Sequence, residues 1–319
     1  MLELFKNNYL SSSGAGPTWK MEIEPPIKPV RTYYEETATA MQYFHDIKTG
    51  KFQVLLSGGT DSQYVCNVLL KLGMNFDAVI VSLESRTGEV YNLHDIKFAY
   101  EFCNTNNITP LIYNIDFDDF MESGKLIDLA IETSSSAWGL VACQYVATQL
   151  DGFILLGGDP PYLALIDGKW MLKTKEYDIK PWTETFLKYN LNGSPHILYY
   201  STEMMFSFLL DPSILALTSG KFPGKTGTNS TKAKVYNNGS GFTLPVYDYS
   251  FMGKEDFNPD LHRIKLNGIE MMARNKLLDI KWKLHLDHFY KEYEPNWNGI
   301  SLIPYTKLIK DYYASVGDK

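Results

Sequence analysis

The chain has 319 residues, of which 45% are hydrophobic, and these values are typical of a globular protein with one large domain or two ordinary ones. A formal net charge of −7 argues against a broad surface that grips nucleic-acid phosphates. The three cysteines, Cys66, Cys103 and Cys143, form no Cys-x-x-Cys pair, which disfavours a disulfide framework, a structural zinc site and an iron–sulfur cluster. Because the sequence shows neither a long apolar stretch nor the apolar core of a signal peptide, we expect a cytoplasmic location.

From residue 32 onward, segments with helical spacing alternate with short runs of apolar residues. The predicted helices are 32–48, 61–72, 93–104 and 136–150, and the predicted strands are 52–56, 77–83, 110–115 and 152–156. Short and almost wholly apolar strands that alternate with helices indicate a parallel sheet covered on both faces. We therefore predict an α/β fold with a doubly wound, mainly parallel sheet.

After residue 162 the pattern changes. Residues 162–173 predict a hairpin that turns at Asp167-Gly168, and residues 182–190 and 202–218 have helical spacing. The polar segment 219–243 predicts a long loop, and 269–290 predicts a last helix. We therefore divide the chain into an N-terminal segment and helix (1–50), an α/β domain (51–175) and a mainly helical C-terminal region (176–319).

Two glycine-rich turns follow predicted strands. The first glycine turn, residues 57–62, reads Ser-Gly-Gly-Thr-Asp-Ser, and the second glycine turn, residues 157–161, reads Gly-Gly-Asp-Pro-Pro. Ligands of parallel α/β sheets bind beyond the carboxyl ends of the strands, where both turns are predicted to lie. The two turns can therefore converge on one site.

The first glycine turn has the composition of an anion site. Glycines let the backbone approach an anion, and the N–H groups that start a helix can donate to phosphate oxygens. The hydroxyls of Ser57, Thr60 and Ser62 add further donors. Asp61 opposes an anion unless a cation such as Mg²⁺ lies between them. The alternative is an ordinary tight turn in which Asp61 caps the helix.

The stretch LLSGGTDS resembles the signature of the PP-loop family, the ATP pyrophosphatases, in which an apolar strand, SGGxDS and a helix follow one another. The resemblance covers about residues 50–160. It implies a five-stranded HUP/Rossmann-like sheet, ATP as substrate and Mg²⁺ as cofactor. It also implies that the chain cleaves ATP to AMP and pyrophosphate, and that the first glycine turn holds the pyrophosphate through Ser57, Gly58, Gly59, Thr60, Asp61 and Ser62.

The resemblance assigns further roles along the same domain. Asp61 is implied as a catalytic residue and as a metal ligand. The family places adenine and ribose contacts after the second strand, which here reads DAVIVSLES and suggests Ser82 as a nucleotide contact. Arg86 follows this strand closely, where ribose and α-phosphate are expected. The alternative for Arg86 is a surface ion pair that contributes little.

The stretch LLGGDPPYL, residues 155–163, is similar to a degenerate form of the second motif of asparagine-synthetase-like amide ligases. It adds Gly158 as a nucleotide contact and Asp159 as a metal ligand, although the acidic pair of that family is reduced to Asp159. A plain turn at the end of a strand is the alternative. The cysteine count disfavours two branches of the family: the thiolases, which use a catalytic cysteine pair, and the deazapurine-forming members, which use a four-cysteine zinc site.

In the amide ligases, a lysine downstream of the second motif neutralises phosphate charge. Lys173 is our first candidate for this catalytic lysine, and Lys175 and Lys225 are others. Solvated surface lysines are the alternative for each of them. The segment 219–243 also carries several lysines, and is either a lid over the triphosphate or a plain polar loop.

The resemblance thus predicts an Mg-ATP-dependent adenylating enzyme that activates a carboxylate, a small-molecule substrate, for amide or other C–N bond formation. The chain begins Met1-Leu2-Glu3 and lacks the cysteine that opens the glutaminase domain of asparagine synthetases. We therefore expect free ammonia, another amine or a separate ammonia-supplying subunit as the nitrogen source. Two alternatives stay open: an enzyme that modifies nucleotides or tRNA, for which the acidic charge is unfavourable, and a nucleotide-binding protein without catalysis.

Overall fold

The predicted sheet is present in the computed structural model, which describes Lys6 and residues 10–12, 19–21, 23–133, 135, 138–174, 176–220, 229–244 and 301–317. The strands are β1 (Leu10–Ser12), β2 (Trp19–Met21), β3 (Phe52–Leu55), β4 (Phe76–Glu84), β5 (Leu111–Asp116), β6 (Phe153–Leu155), β7 (Leu163–Ile166), β8 (Lys169–Thr174), β9 (Gly193–Ser194) and β10 (Ser301–Pro304). The α-helices are α1 (Tyr33–Ile47), α2 (Thr60–Lys71), α3 (Leu93–Thr105), α4 (Phe117–Glu122), α5 (Lys125–Glu132), α6 (Trp138–Ala147), α7 (Glu176–Lys188), α8 (Thr202–Leu209), α9 (Pro212–Thr218), α10 (Asn229–Asn237) and α11 (Tyr305–Val316).

Five strands form an all-parallel sheet in the order β5-β4-β3-β6-β9. The chain starts at β3 in the middle, winds outward through β4 and β5, and then crosses back to β6 and β9. The predicted doubly wound α/β fold is thereby confirmed, and the four predicted strands agree with the observed ones to within a residue or two. The fifth strand, β9, has only two residues and leaves no apolar run to detect.

Side chains alternate along these strands and divide the core between the two faces of the sheet. On one face, Val54 and Ile80 pack with α1, α2 and α3, and the same core continues into α8, α10 and α11. On the other face, Val79, Val81 and Ile154 pack with α4, α5 and α6. Because both faces are covered, the strands can be almost wholly apolar, as the sequence indicated.

Helix α1 illustrates how local chemistry sets an element. Thr32 caps its amino end and accepts a hydrogen bond from the Glu35 N–H, while the Glu35 carboxylate accepts one from the Thr32 N–H. This reciprocal capping box satisfies two donors that have no partner inside the helix. The predicted helix 32–48 therefore begins and ends within one residue of the observed α1.

The predicted hairpin is also present, and it belongs to a second sheet. Strands β7 and β8 pair in antiparallel fashion through Leu163 and Leu172 and turn at Asp167-Gly168, both of which have positive φ. Strand β10 joins the other edge of β8 and leads directly into α11. The pairing brings the end of the chain back to the α/β unit.

One prediction for the C-terminal region is wrong. The long loop predicted for 219–243 contains α10, in which Ala233, Val235 and Tyr236 are buried. This helix packs against α2 and α9, so burial of one apolar face outweighs the polar composition of the segment. The predicted helix 269–290 lies outside the described residues. Within the part of the chain that the structure describes, no helix has both the length and the apolar character to cross a membrane.

His196, which follows β9, gives the fold a pH dependence. Its Nε2 lies 3.0 Å from the Thr183 hydroxyl of α7, and burial lowers its pKa to about 3. The unfolded chain binds a proton at His196 below about pH 6.5, whereas the folded chain does not. The stability contributed by the neutral ring is therefore complete above that pH and is lost as the pH falls toward 3.

Protonation of His196 in the unfolded chain should lower the free energy of unfolding by about 2 kcal/mol when the pH is reduced from 7 to 5. Urea unfolding of the wild type and of His196→Gln at both pH values measures this contribution as the difference between the two pH slopes. His45→Gln is the matched control because His45 lies exposed on α1. Equal slopes in the wild type and His196→Gln would contradict the assignment.

Candidate functional site

The first glycine turn leads from β3 into α2 in a conformation that needs glycine. Gly58 has φ of +82°, and a Cβ at this position would lie 2.7 Å from the Ala99 nitrogen and 2.8 Å from the Asp95 oxygen of α3. Gly59 occupies the N-cap position of α2 and provides no side-chain cap. The first bond of the α2 ladder runs from the Gln63 N–H to the Gly59 oxygen at 3.1 Å. The N–H groups of residues 60–62 therefore precede the ladder and form a potential anion-binding end.

Side-chain hydrogen bonds hold this turn in shape. The Gln63 amide donates to the Gly58 oxygen at 2.8 Å, and the Ser62 hydroxyl donates to the Gly59 oxygen at 3.1 Å. The hydroxyl oxygens of Ser57 and Ser62 lie 3.3 Å apart. The buried hydroxyl of Thr60 has no hydrogen-bond partner among the described residues. The backbone donors are thus positioned in advance and need little rearrangement to receive a ligand.

The second glycine turn meets the first, as the sequence suggested. A Cβ on Gly157 would lie 2.9 Å from the Ser62 nitrogen, so only glycine allows this approach without a shift of the backbone. Gly158 has φ of +65° and open space around its Cα. Both turns therefore lie at one point beyond the carboxyl ends of the adjacent strands β3 and β6, where a doubly wound sheet reverses its winding.

A cavity of about 290 Å³ opens at this point. Its polar end is formed by both glycine turns, and its apolar walls come from strands β3 and β4 and from helices α3, α6 and α7. The lining residues are Leu55, Leu56, Ser57, Gly59, Asp61, Ser62, Val79, Val81, Leu83, Asn92, Asp95, Ile96, Gly139, Leu140, Cys143, Leu156, Gly157, Gly158, Asp159 and Trp182. An apolar cavity with a few convergent polar groups is typical of a small-molecule site.

Two carboxylates at the polar end, the acid pair of Asp61 and Asp159, share one ammonium group. Lys232 of α10 places its Nζ 2.6 Å from Asp61 Oδ2 and 2.9 Å from Asp159 Oδ1. The side chain of Lys232 is 7% exposed and that of Asp61 14%, whereas that of Asp159 is 68% exposed. Burial lowers the pKa of Lys232, but the two carboxylates more than offset this effect, so the net pKa is raised and the lysine is charged.

Tyr236, one turn after Lys232 on α10, holds the other oxygen of Asp61. Its hydroxyl donates to Asp61 Oδ1 at 2.5 Å. Burial and the negative charge of Asp61 raise the pKa of Tyr236 well above its ordinary value, so the phenol stays protonated and remains a donor. Both oxygens of Asp61 thus have partners on α10.

An aromatic stack of Tyr33, Tyr64 and Tyr236 fixes this helix in place. The rings of Tyr64 and Tyr236 are 4.2 Å apart and nearly parallel, and Tyr33 lies 5.7 Å from each of them. The Tyr64 hydroxyl donates to the Thr37 hydroxyl at 3.0 Å. Helices α1, α2 and α10 therefore meet in one buried contact behind Asp61.

The structure brings most of the predicted residues of the two turns to the cavity. Those that line it are Ser57, Gly59, Asp61, Ser62, Gly158 and Asp159. Gly58 and Thr60 shape the first glycine turn without lining the cavity. Asp61 and Asp159 are the only predicted metal ligands, and no group of three or more metal-binding side chains occurs within the described ranges.

Three predicted residues lie elsewhere. Ser82 is buried on the face of β4 opposite to Val81 and Leu83, because successive strand residues point to opposite sides. Arg86 is half-exposed and pairs with Glu122 of α4 at 2.5 Å, the surface ion pair that was its alternative. Lys173 lies on β8, where its N–H donates to the Tyr162 oxygen, and does not line the cavity.

The lysine at the acid pair is Lys232, which the sequence placed in a polar loop. Tyr236 and Trp182 were not identified from the sequence at all. The spacing of Lys232 and Tyr236, four residues apart, was the available signal for a shared helix face. Lys175 and Lys225 lie outside the described residues.

Cys143 also lines the cavity. Burial, with a smaller contribution from Asp95, raises the pKa of its thiol to about 12. A protonated thiol is a poor nucleophile and a poor metal ligand. Its state is therefore unfavourable for sulfur-transfer chemistry at this site.

Comparison with known proteins adds no further assignment. No protein-family model matches the chain, and no curated protein matches it. The functional interpretation depends on the motif and on the geometry of the site.

We expect Tyr236→Phe to lower the free energy of unfolding by about 1.5–3 kcal/mol, because the lost hydrogen bond is made to a charged carboxylate. Tyr64→Phe is the matched control in the same aromatic stack, since its hydroxyl contacts the neutral Thr37. This variant is expected to cost about 0.5–1.5 kcal/mol. Urea unfolding at pH 7 compares them, and a cost for Tyr236→Phe no greater than that for Tyr64→Phe would count against the Asp61 contact.

Proposed function

We propose that the chain is an Mg-ATP-dependent adenylating enzyme of the PP-loop type, which cleaves ATP to AMP and pyrophosphate. The observation that carries the proposal is the position of the first glycine turn. Its helix-starting N–H groups, Ser57 and Ser62 lie at one end of an apolar cavity, directly beside the acid pair. Phosphate donors and cation-binding carboxylates thus occur within one site.

The electrostatics of this end favour a polyanion that brings its own cation. The start of α2 carries a partial positive charge and backbone donors, both of which attract phosphate. The two carboxylates and one ammonium carry a net charge of −1, which repels a bare anion. A nucleotide complexed with Mg²⁺ satisfies both conditions, whereas free phosphate satisfies only the first.

The acid pair is suited to hold such a cation. Oxygens of Asp61 and Asp159 already converge on one positive group, and carboxylate oxygens are the ligands that Mg²⁺ prefers. When bound there, Mg²⁺ would neutralise charge on the phosphates. The Asp159 side chain is 68% exposed, so solvent and a ligand can reach its carboxylate.

In the proposed reaction, a carboxylate oxygen of the substrate attacks the α-phosphorus and the bond to the β-phosphate oxygen breaks. Pyrophosphate leaves with the bonding electron pair. The donors of the first glycine turn and the ammonium of Lys232 stabilise its charge as it develops. An amine then attacks the acyl carbon, the bond from this carbon to the AMP oxygen breaks, AMP leaves with the electron pair, and the nitrogen loses a proton to solvent, which gives the amide.

The apolar walls of the cavity suit the base or an apolar part of the acceptor. Leu140, Leu156 and Trp182 contribute to these walls. Such walls would limit the contact of a reactive acyl adenylate with water and so slow its hydrolysis. Ammonia, another amine or a separate ammonia-supplying subunit provides the nitrogen in this proposal.

One observation favours a second candidate, a nucleotide-binding protein without catalysis. Lys232 already neutralises part of the acid pair, and the hydrogen bond from Tyr236 engages the remaining oxygen of Asp61. If this arrangement persisted with nucleotide bound, Asp61 would not be available to a metal ion. Binding without turnover is the result that this candidate predicts.

The test is pyrophosphate and AMP formation from ATP with Mg²⁺, measured over a panel of carboxylic acids with ammonium or amines. The panel includes RNA, because activity that depends on RNA would instead indicate a nucleic-acid-modifying enzyme. Formation of AMP and pyrophosphate in equal amounts supports the proposal. ADP formation, or no nucleotide binding by calorimetry, overturns it.

We expect Asp61→Asn to lower the rate of AMP formation by about 100-fold or more, because the site then loses half of its acid pair and its cation site. Asp151→Asn is the matched control, since Asp151 is exposed and precedes β6 at the opposite end of the sheet. Circular dichroism verifies that both variants are folded. A rate in Asp61→Asn equal to that in Asp151→Asn would contradict the role of Asp61.

A further inference from the structure

We infer that Lys232 is an exchangeable internal cation, which competes with a divalent metal ion for the acid pair and thereby makes metal binding depend on nucleotide. The inference rests on the proposed function for the identity of the nucleotide. The competition itself follows from the geometry of the acid pair alone.

The ammonium of Lys232 lies between the two carboxylates of the acid pair. Nζ of Lys232 lies 2.6 Å and 2.9 Å from one oxygen of each carboxylate, which is the point between Asp61 and Asp159 where a shared metal ion would be coordinated. Two cations cannot occupy one point, and like charges held in a poorly solvated site repel strongly. A metal ion that binds both carboxylates must therefore displace the ammonium.

Displacing the ammonium is unfavourable when no anion is bound. The lysine side chain is 7% exposed, so an ammonium moved off the carboxylates stays in a poorly solvated site without its two partners. A buried charge that loses its partners is strongly destabilising. Binding of a metal ion alone is therefore weak.

A polyphosphate offers the displaced ammonium new partners. The N–H groups that start α2 would hold phosphates beside Asp61, the carboxylate that Lys232 contacts. The ammonium can then exchange its carboxylate partners for phosphate oxygens while the metal ion takes the carboxylates. Binding of the phosphates therefore raises the affinity for the metal ion, and binding of the metal ion raises the affinity for the phosphates, which is positive coupling.

The two carboxylates of the acid pair differ in their surroundings. Asp61 accepts a second hydrogen bond, from Tyr236, whereas the side chain of Asp159 is 68% exposed. A metal ion that enters from solvent therefore meets the Asp159 carboxylate first.

The experiment measures Mn²⁺, a spectroscopic substitute for Mg²⁺, by electron paramagnetic resonance with and without α,β-methylene-ATP, which resists the α–β cut. In the wild type we expect the analogue to raise Mn²⁺ affinity by about tenfold or more, within the range of about 5–150-fold for coupled sites. Lys232→Met should raise the affinity for Mn²⁺ alone by about tenfold, and the gain from the analogue should be smaller than in the wild type because only the direct phosphate–metal contacts remain.

Lys234→Met is the matched control, because Lys234 is exposed on the same helix and should leave every Mn²⁺ affinity unchanged. If Lys232→Met does not fold, Asp159→Asn provides a second test, because a substitution at the exposed Asp159 should leave the fold intact. It should lower Mn²⁺ affinity in the presence of the analogue by about tenfold.

The outcomes separate the inference from the proposed function. If Lys232→Met binds Mn²⁺ alone no better than Lys234→Met, or if Asp159→Asn leaves Mn²⁺ affinity unchanged, the exchange is overturned even when nucleotide binds. If the analogue binds to no variant but Lys232→Met still gains Mn²⁺ affinity, the exchange stands and the nucleotide assignment falls.

Discussion

A largely buried carboxylate at the start of α2 is the constraint around which the centre of the molecule is arranged. The Asp61 side chain is 14% exposed, and an ionised group in such a place needs partners to offset its lost hydration. The amino end of α2 provides part of this compensation through its partial positive charge. The remainder comes from Lys232 and Tyr236, which lie about 170 residues later in the chain. The contacts of the Asp61 carboxylate therefore connect β3 and α2 with α10 of the C-terminal region.

The same connection explains why the core does not stop at the predicted boundary near residue 175. Tyr33, Tyr64 and Tyr236 stack behind Asp61, so α1, α2 and α10 share one buried contact. Apolar residues of α8 and α11 belong to the same core. Close packing of this kind transmits small displacements between elements instead of absorbing them. A change in the partners of Asp61 should therefore displace α10, the helix that carries Lys232.

The sequence was informative where local chemistry decides the structure. Three features are determined by residues that lie close together in the chain: the short apolar strands, the capping of α1 by Thr32 and Glu35, and the glycine turns. The sheet, α1 and the turns that line the cavity were therefore predictable. It was uninformative where distant contacts decide. The polar composition of residues 229–237 does not indicate α10, because the helix is stabilised by burial against α2 and α9.

The choice of Lys173 instead of Lys232 had the same cause, because proximity in the chain is a poor guide to which lysine reaches a carboxylate pair. Ser82 shows a finer limit, since the end of β4 was correctly located but the face on which Ser82 points depends on strand register.

Lys232 and the acid pair alter the charge that an anion meets at the two glycine turns. A cradle of backbone donors alone would bind many anions, because N–H groups at a helix start do not discriminate between phosphate compounds. The acid pair opposes every such anion, and Lys232 reduces this opposition without removing it, which leaves a net charge of −1. In the proposed function, this charge disfavours free phosphate and other simple anions relative to an anion that carries a divalent cation. Under this proposal, selectivity comes from a repulsive element placed beside an attractive one, and the glycine turns would bind only a ligand that neutralises the acid pair.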